Sequence, residues 1–409
     1  MRFPIFSAIV LSVVLACPFV VAQDGFVSLF NGKDLTGWTV KGGDAKYHVE
    51  DGSIVGVVND ERRNTFLCSN KEYENFIFKV EFKFDKNFNS GIQFRSLARP
   101  EGDRERVYGY QCEMESAGMT AAIYDEGRRG RWLNVVTDEF TEKTKKHFKQ
   151  GEWNELEIQC VGPSIRTWLN GQPISDIFDI ETQRGFFGLQ VHSAKNPGQV
   201  RWRNIRVKEL PSTPWVPMYA NKKFDEDIEI KPVGEWTIQD DGVLCGRTPE
   251  GEKRDGIIVT KKTYKNFAAK VSYNMEKGNS GLYFRAIDVD KPYWLAGYQC
   301  EIAESPKVNA NFWEVQGRGW IQKTPETEAI AEKATKPSDW NHIGTVAVND
   351  RLVSFLNTWM VMDIIDPSPT HGKEGKIGLQ LHGGGNQGCL FNDFYIMPLS
   401  EEMVKLITR

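Results

Sequence analysis

The chain alternates apolar and polar residues over short stretches. FIFKVEFKF at 76–84, WNELEIQC at 153–160 and VRWRNIRV at 200–207 all repeat every second residue, the period of half-buried strands. LNGQ at 169–172 predicts a tight hairpin turn, because Asn-Gly accepts the positive φ that such a turn needs. No long stretch has strong helical periodicity. Ser400 onwards is the exception: Met403, Leu406 and Ile407 fall at helical spacing and predict a short tail helix. Many short strands separated by turn signals predict an all-β protein built from β-sandwiches.

The pattern occurs twice. DGSIVG at 51–56 returns as DGVLCG at 241–246, ENFIFKV at 74–80 as KNFAAKV at 265–271, and NSGIQFR at 89–95 as NSGLYFR at 279–285. GYQCE stands at 109–113 and again at 297–301, Trp153-Asn154 matches Trp340-Asn341, and GLQVH at 188–192 matches GLQLH at 378–382. The order is constant and the offset stays at about 190 residues, which identifies a tandem duplication. PSTPWVP at 211–217 interrupts any regular element between the halves. The expected organisation is a leader at 1–22, a first sandwich at 23–210, a linker at 211–217, a second sandwich at 218–399 and a tail at 400–409.

Alternation assigns faces within the repeated strands, since successive side chains point to opposite sides. Tyr110, Cys112 and Met114 share the core side, while Gln111, Glu113 and Glu115 share the other. Ile92 and Phe94 oppose Gln93 and Arg95, and Leu189 and Val191 oppose Gln190 and His192. The second half repeats the split: Tyr283 and Arg285 lie opposite Leu282 and Phe284, Gln299 and Glu301 opposite Tyr298 and Cys300, and Gln380 and His382 opposite Leu379 and Leu381. If these strands are neighbours, Arg, Gln, Glu and His form one hydrogen-bonding surface suited to hydroxyl-rich ligands. An antiparallel sheet also leaves a polar face to water, and that reading suits any single residue.

Composition narrows the class. The 409 residues are 40% hydrophobic and 26% charged, with a formal net charge of −4 and 12 Trp. There is no basic footprint for nucleic acid. Arg2, the apolar stretch from Ile5 to Leu15 and the small residues before Gln23 predict a secretory leader, hence a periplasmic or extracellular protein without a membrane span. A lipidated Cys17 fits less well, because Leu15 suits the cleavage site poorly. Of the remaining cysteines only Cys112 and Cys300 correspond between the halves, so a shared disulfide framework is excluded and buried free thiols are expected.

FVSLFNGKDLTGW at 26–38, followed by NSGIQFR, GYQCE, WNELEI, WLNG, GLQVH and VRWRNIRVKEL, resembles the 3-keto-disaccharide hydrolase family over 26–210. The second half is similar but looser: Leu356-Asn357-Thr358 replaces the Asn-Gly turn and Asn392-Asp393-Phe394 replaces Arg203-Asn204-Ile205. The resemblance implies two tandem concanavalin-like jelly rolls that cleave glycosides whose C3 hydroxyl has become a ketone. The ketone acidifies the C2 proton, a base removes it, the aglycone leaves C1, and water adds to the enone. A separate sugar 3-dehydrogenase would supply that substrate.

YDEGRRGRW at 124–132 is similar to a stretch common in one branch of the family, and it follows the GYQCE strand. The expected roles follow. Glu113 or Glu126 is the base, and Arg95 with Arg128 or Arg129 polarises the ketone. His192 is an acid or a metal ligand. Gln93, Gln111, Tyr124 and Asp125 orient the sugar. Arg285, Gln299, Glu301 and His382 are the second-half equivalents. FWEVQGRGW at 312–320 sets Glu314 against Glu126 but has Gln316 and Gly317 against Arg128 and Arg129, which favours the first half as the reactive one. A divalent metal is an option without a recognisable ligand motif. A non-catalytic carbohydrate-binding module is the competing reading, since the fold serves both.

Overall fold

The computed structural model describes residues 24–409 apart from 59–62, 85, 87, 196, 221–222 and 291–293, so the expected leader lies outside the described residues. Each half is a concanavalin-like jelly-roll β-sandwich. In the first, six strands run in the order Trp38–Gly42, Thr65–Tyr73, Gly185–Val191, Asn89–Glu101, Arg104–Glu115 and Ile123–Glu126. They pack on a larger sheet whose central strands are Asn154–Val161, Phe76–Phe84 and Gly198–Glu209. Phe76, Phe78, Phe82, Phe94, Tyr110 and Phe187 fill the space between. The second half repeats this, with Gly256–Thr260, Lys376–Leu381, Asn279–Asp288, Leu295–Ala303 and Phe312–Val315 side by side.

The repeated motifs are therefore neighbours. GLQVH, NSGIQFR and GYQCE lie on three adjacent strands, with Gly188 opposite Gln93 and Gln93 opposite Gln111. Ser90 Oγ donates to Gln190 O at 2.6 Å and ties the first two strands. The hairpin turn is as predicted, with Asn170 at φ 50° and Gly171 at φ 78°. The second half adopts the same turn with Asn357 at 45° and Thr358 at 74°, a region β-branched residues disfavour. Arg131 Nη2 donates to Thr358 O at 2.7 Å, so the first half holds this turn in place.

Helix Glu401–Ile407 is N-capped by Ser400, as its spacing predicts. Two ten-residue helices, Asp138–His147 and Pro325–Ala334, lie where no helical periodicity stands out. Each starts at a Thr N-cap followed by acidic residues, a local signal independent of amphipathicity. The six described cysteines are free, and all but Cys245 are buried.

The two halves share a core. Val161 and Phe178 of the first pack with Ala268, Val346 and Phe355 of the second and with Val404 and Ile407 of the tail helix. Gln159 Nε2 donates to Leu406 O at 2.8 Å, and Arg351 Nη1 binds Asp176 Oδ1 at 2.7 Å. The large sheets thus meet back to back, which leaves the outer face of the six-stranded sheet uncovered by the second half.

Arg95 corrects a sequence expectation. Its φ is 46°, at a bulge between Phe94 and Leu97, so the alternation that would place it beside Gln93 stops there. The side chain is fully buried. Nε donates to Glu74 O at 2.8 Å, Nη1 to Gly162 O at 2.8 Å and Nη2 to Asn75 Oδ1 at 3.0 Å. Arg285 repeats the arrangement at φ 46°, donating to Lys265 O and Asn349 O. Both arginines stitch turns together and reach no substrate face. Arg95→Lys, which cannot serve these separated acceptors at once, is expected to lose about 2–4 kcal/mol of stability in urea unfolding. A variant with unchanged stability but lost activity would return Arg95 to the reactive centre.

Candidate active site

The side of this sheet that faces away from the second half carries a continuous polar row, buried at Gln93, Gln111 and Glu113. Gly91 sits opposite Glu113, and a Cβ on Gly91 would come within 2.6 Å of the Gln111 side chain. Any side chain at Gly91 would have to displace Gln111, which lies across it. From this position Gln111 Nε2 donates to Glu113 Oε2 at 2.9 Å, and Gln111 Oε1 accepts from Gln93 Nε2 at 2.8 Å. Ser96 Oγ extends the row to Gln93 Oε1 at 2.7 Å, and Asn89 Nδ2 closes its other end on Glu113 Oε1 at 2.6 Å. Both amide atoms of Gln190 and Asn89 Oδ1 are buried in this region without a hydrogen-bond partner among the described residues.

Glu113 is only 4% exposed. Burial pushes its carboxyl up to about 7, against the hydrogen bonds from Gln111 and Asn89, and the charges of Glu115 and Glu126 push the same way. Glu126 stands farther along the same face, on the strand that places Tyr124 opposite Gln111 and Glu126 opposite Gly109. It lines a cavity of about 170 Å³ with Arg63, Asn64, Phe66 and Arg106. Asn64 Nδ2 and Arg106 Nη2 each reach Glu126 Oε1 at 3.4 Å. Tyr124 packs edge-on against Trp132, with ring centroids 5.0 Å apart. Gln93, Gln111, Glu113, Tyr124 and Glu126 therefore share one surface.

Asp125, Arg128 and Arg129 do not join them. Asp125 pairs opposite Tyr110, so it points to the inner side, and it is fully buried. Arg128 Nε binds both of its oxygens at 2.9 and 3.0 Å, and Arg129 binds it too while reaching Asp179 Oδ2 at 2.7 Å. Tyr110 donates its hydroxyl to Asp179. The second half builds the same staple from Tyr298, Glu314, Arg318 and Asp366. Register thus corrects the alignment: Glu314, opposite Tyr298, is the counterpart of Asp125, and Arg318 takes the part of Arg129. The residue at the place of Glu126 is Val315, opposite Gly297.

His192 lines a recess with Glu115 and with Asn89, the residue that bonds Glu113, and His382 bonds the neighbouring Gly383 O. No group of three or more His, Cys, Asp or Glu placed to hold a metal ion occurs among the described residues. Strand alternation missed Asn64 and Arg106; the second half has Asp255 at the place of Asn64, accepting from Gly383 N as Asn64 accepts from Ser193 N. Asn89 and Gln190 were within reach of alternation, because Asn279 and Gln380 repeat them.

The second half keeps one end of the row. Asn279 Nδ2 donates to Glu301 Oε2 at 3.0 Å, and burial pushes Glu301 up to about 7. Gln299 Nε2 turns to Gln380 Oε1 at 3.1 Å, because Tyr283 replaces Gln93. Tyr283, Ile257, Val259 and Leu295 then form an apolar cluster, with Val315 packed against it. Tyr283 and Val315 thus stand where the first half has Gln93 and Glu126, next to Asp255, which accepts from Gln380 Nε2 at 2.9 Å.

Residues 25–208 and 219–397 each match the family model of the 3-keto-alpha-glucoside-1,2-lyase-like domain. A 3-keto-disaccharide hydrolase of Bacteroides thetaiotaomicron is 24% identical over 240 residues, which cover 46% of this chain and 80% of the relative. Among solved structures, a carbohydrate binding module from Bacillus subtilis aligns at 20% identity and a TM-score of 0.33, over 44% of this chain and 99% of its own. A β-glucanase of Bacillus licheniformis aligns at 12% identity and a TM-score of 0.30, over 45% and 97% respectively.

Buried carboxyls with raised values make stability fall with pH. The folded protein holds the Glu113 and Glu301 protons up to about 7, whereas an unfolded chain releases them near the ordinary 4.5. Between these limits the folded state binds more protons, so each site costs about 3 kcal/mol once pH passes 7 and nothing below 4.5. Urea unfolding at pH 5 and pH 8 should show this loss, and Glu113→Gln with Glu301→Gln should flatten it.

Proposed function

The chain belongs to the 3-keto-alpha-glucoside-1,2-lyase-like domain family, and from that membership we propose that its first half cleaves the glycosidic bond of 3-keto-glycosides by elimination and hydration. The observation that carries this reading is the pair of carboxylates on one polar face, Glu113 with its carboxyl raised to about 7 and Glu126 lining the adjoining cavity beside Arg106. A buried carboxyl that holds its proton towards neutral pH suits the giving of a proton, and a second carboxylate on the same face suits the taking of one.

In this reading Glu126, beside Arg106, takes the C2 proton of the sugar. The electron pair moves into the ketone as an enolate, which the side-chain amides on the face stabilise by hydrogen bonds. As the enolate collapses, the C1–O bond breaks and Glu113 gives its proton to the departing oxygen. Water adds to C1 of the enone and gives its proton to Glu113, while C2 regains a proton from Glu126. The net change is one water consumed, with a free 3-keto sugar and the aglycone released. Gln111 and Tyr124 lie between the two carboxylates and orient sugar hydroxyls. The acid role thus moves from His192 to Glu113. The second half, with Val315 in place of Glu126, braces the first and is inert.

The ketone has to come from a separate oxidation at C3, so a sugar 3-dehydrogenase acts before this protein. We also propose export to the periplasm or beyond, on the strength of Arg2 and the apolar stretch from Ile5 to Leu15. No helix among the described residues is long and apolar enough to cross a membrane.

The test is incubation with 3-keto-trehalose and with a 3-keto-β-glucoside in D₂O, beside the unoxidised sugars. The expected result is aglycone release from a keto-sugar alone, with deuterium at C2 of the product. No release from either keto-sugar overturns the proposal. Glu126→Gln and Glu113→Gln should each lower kcat/KM at least about 100-fold, while Glu301→Gln stays within about twofold. Because Glu113 must be protonated to act as an acid, kcat/KM should fall as pH rises through about 7.

A further inference from the structure

A second cavity, of about 540 Å³, lies between the two halves and is separate from the polar face of the first. Its walls include Arg129 and Glu181 of the first half, Trp215 of the linker, and Lys270, His342, Asp393 and Tyr395 of the second. Comparison of the repeats shows how it arises. In the first half the matching face is closed by ion pairs: Lys79 with Glu157 at 2.7 Å, Arg203 with Glu81 at 2.8 Å and Arg206 with Glu155 at 3.6 Å. Strand register sets Lys270 in the place of Lys79, Ser272 in that of Glu81, His342 in that of Glu155, Gly344 in that of Glu157 and Tyr395 in that of Arg206. Trp215 likewise stands where the first half has Phe26.

The second half has thus exchanged paired charges for aromatic rings and small polar groups. Lys270 keeps its position but loses its carboxylate. Its ammonium lies 4.5 Å from the Trp215 ring centroid and 5.6 Å from that of Tyr395, and it makes no ion pair among the described residues. Ser272 Oγ contacts His342 Nδ1 at 2.8 Å and donates towards Asp393 Oδ2 at 3.2 Å. The serine stands between the other two, so it fixes the imidazole and leaves Nε2 unengaged by this bond. Serine, buried in the wall, is no nucleophile in this order, because the carboxylate does not reach the histidine through its far nitrogen. Arg129 Nη2 is buried without a hydrogen-bond partner at the same wall.

We propose that this interdomain cleft binds an uncharged saccharide of about two rings, as a site distinct from the reactive face. Flat apolar rings beside converging donors and acceptors match the C–H faces and hydroxyls of a sugar, and the volume lies in the range of small-ligand sites. The charges of Lys270 and Arg129 are offset by Asp179, Glu181 and Asp393, so the cleft offers no excess positive charge to a carboxylate or phosphate. The proposal does not depend on the chemistry assigned to Glu113 and Glu126.

Titration calorimetry with cellobiose, maltose, trehalose and glucuronate tests it. Binding of at least one disaccharide is expected, weakened at least tenfold in both Trp215→Ala and His342→Ala and unchanged within twofold in Glu113→Gln. His342 is exposed, so its variant reads the site even if loss of Trp215 disturbs the linker. No disaccharide binding, or binding that Glu113→Gln abolishes and His342→Ala leaves intact, overturns the proposal. Glucuronate bound more tightly than every disaccharide overturns the uncharged class.

Discussion

The polar face depends on one steric fact, the absence of a side chain at Gly91. Gln111 occupies the space that a Cβ would take, and from there its amide can reach both Glu113 and Gln93. Ser90, next to it, fixes the adjoining strand through Gln190 O, so the row is set by backbone register before any ligand arrives. Register matters because a slip of one residue would exchange Gln111 and Glu113 with Tyr110 and Cys112 and turn the core outward. The second half keeps the same device, with Gly281 beneath Gln299.

Duplication then lets two faces diverge in opposite directions. On the outer sheet the first half keeps Gln93 and Glu126, where the second has Tyr283 and Val315 and packs them into an apolar cluster. On the larger sheet the first half keeps solvated ion pairs, where the second has Ser272, His342 and Tyr395 around a cleft. Each half is polar and open where the other is closed. Both halves keep the buried arginines at φ 46°, the tyrosine–carboxylate–arginine staples of Tyr110 and Tyr298, and the Asn–Glu end of the polar row. Repetition of a charged residue therefore does not by itself separate packing from chemistry: Arg95 and Arg285 pack, while Glu113 and Glu301 sit in the polar row.

That distinction explains what was legible. Alternation placed Gln93, Gln111 and Glu113 on one surface, because regular strands obey a period of two. It failed at Arg95, where a bulge with positive φ breaks the period, and at Arg128 and Arg129, which belong to a turn without period. In the dense run of charge at 124–129, Asp125 and the two arginines neutralise one another inside the sandwich edge, and Glu126 alone of the charged residues joins the polar face. His192 lies just past the strand end, beside the Asn89 end of the row.

By itself the sequence determined the duplication, the all-β sandwich, the Asn-Gly turn, the tail helix and the inner and outer sides of the GYQCE strands. These follow from local spacing and from which residues avoid water. Only the tertiary structure decided which polar groups meet. It drew Asn64 and Arg106 to Glu126 from distant parts of the chain, sent Arg95 into the stitching of turns, and matched Glu314 to Asp125 rather than to Glu126. It also opened a cleft that exists only where two halves touch. Such placements depend on strand order, bulges and the packing of one sheet on another, which no local period encodes.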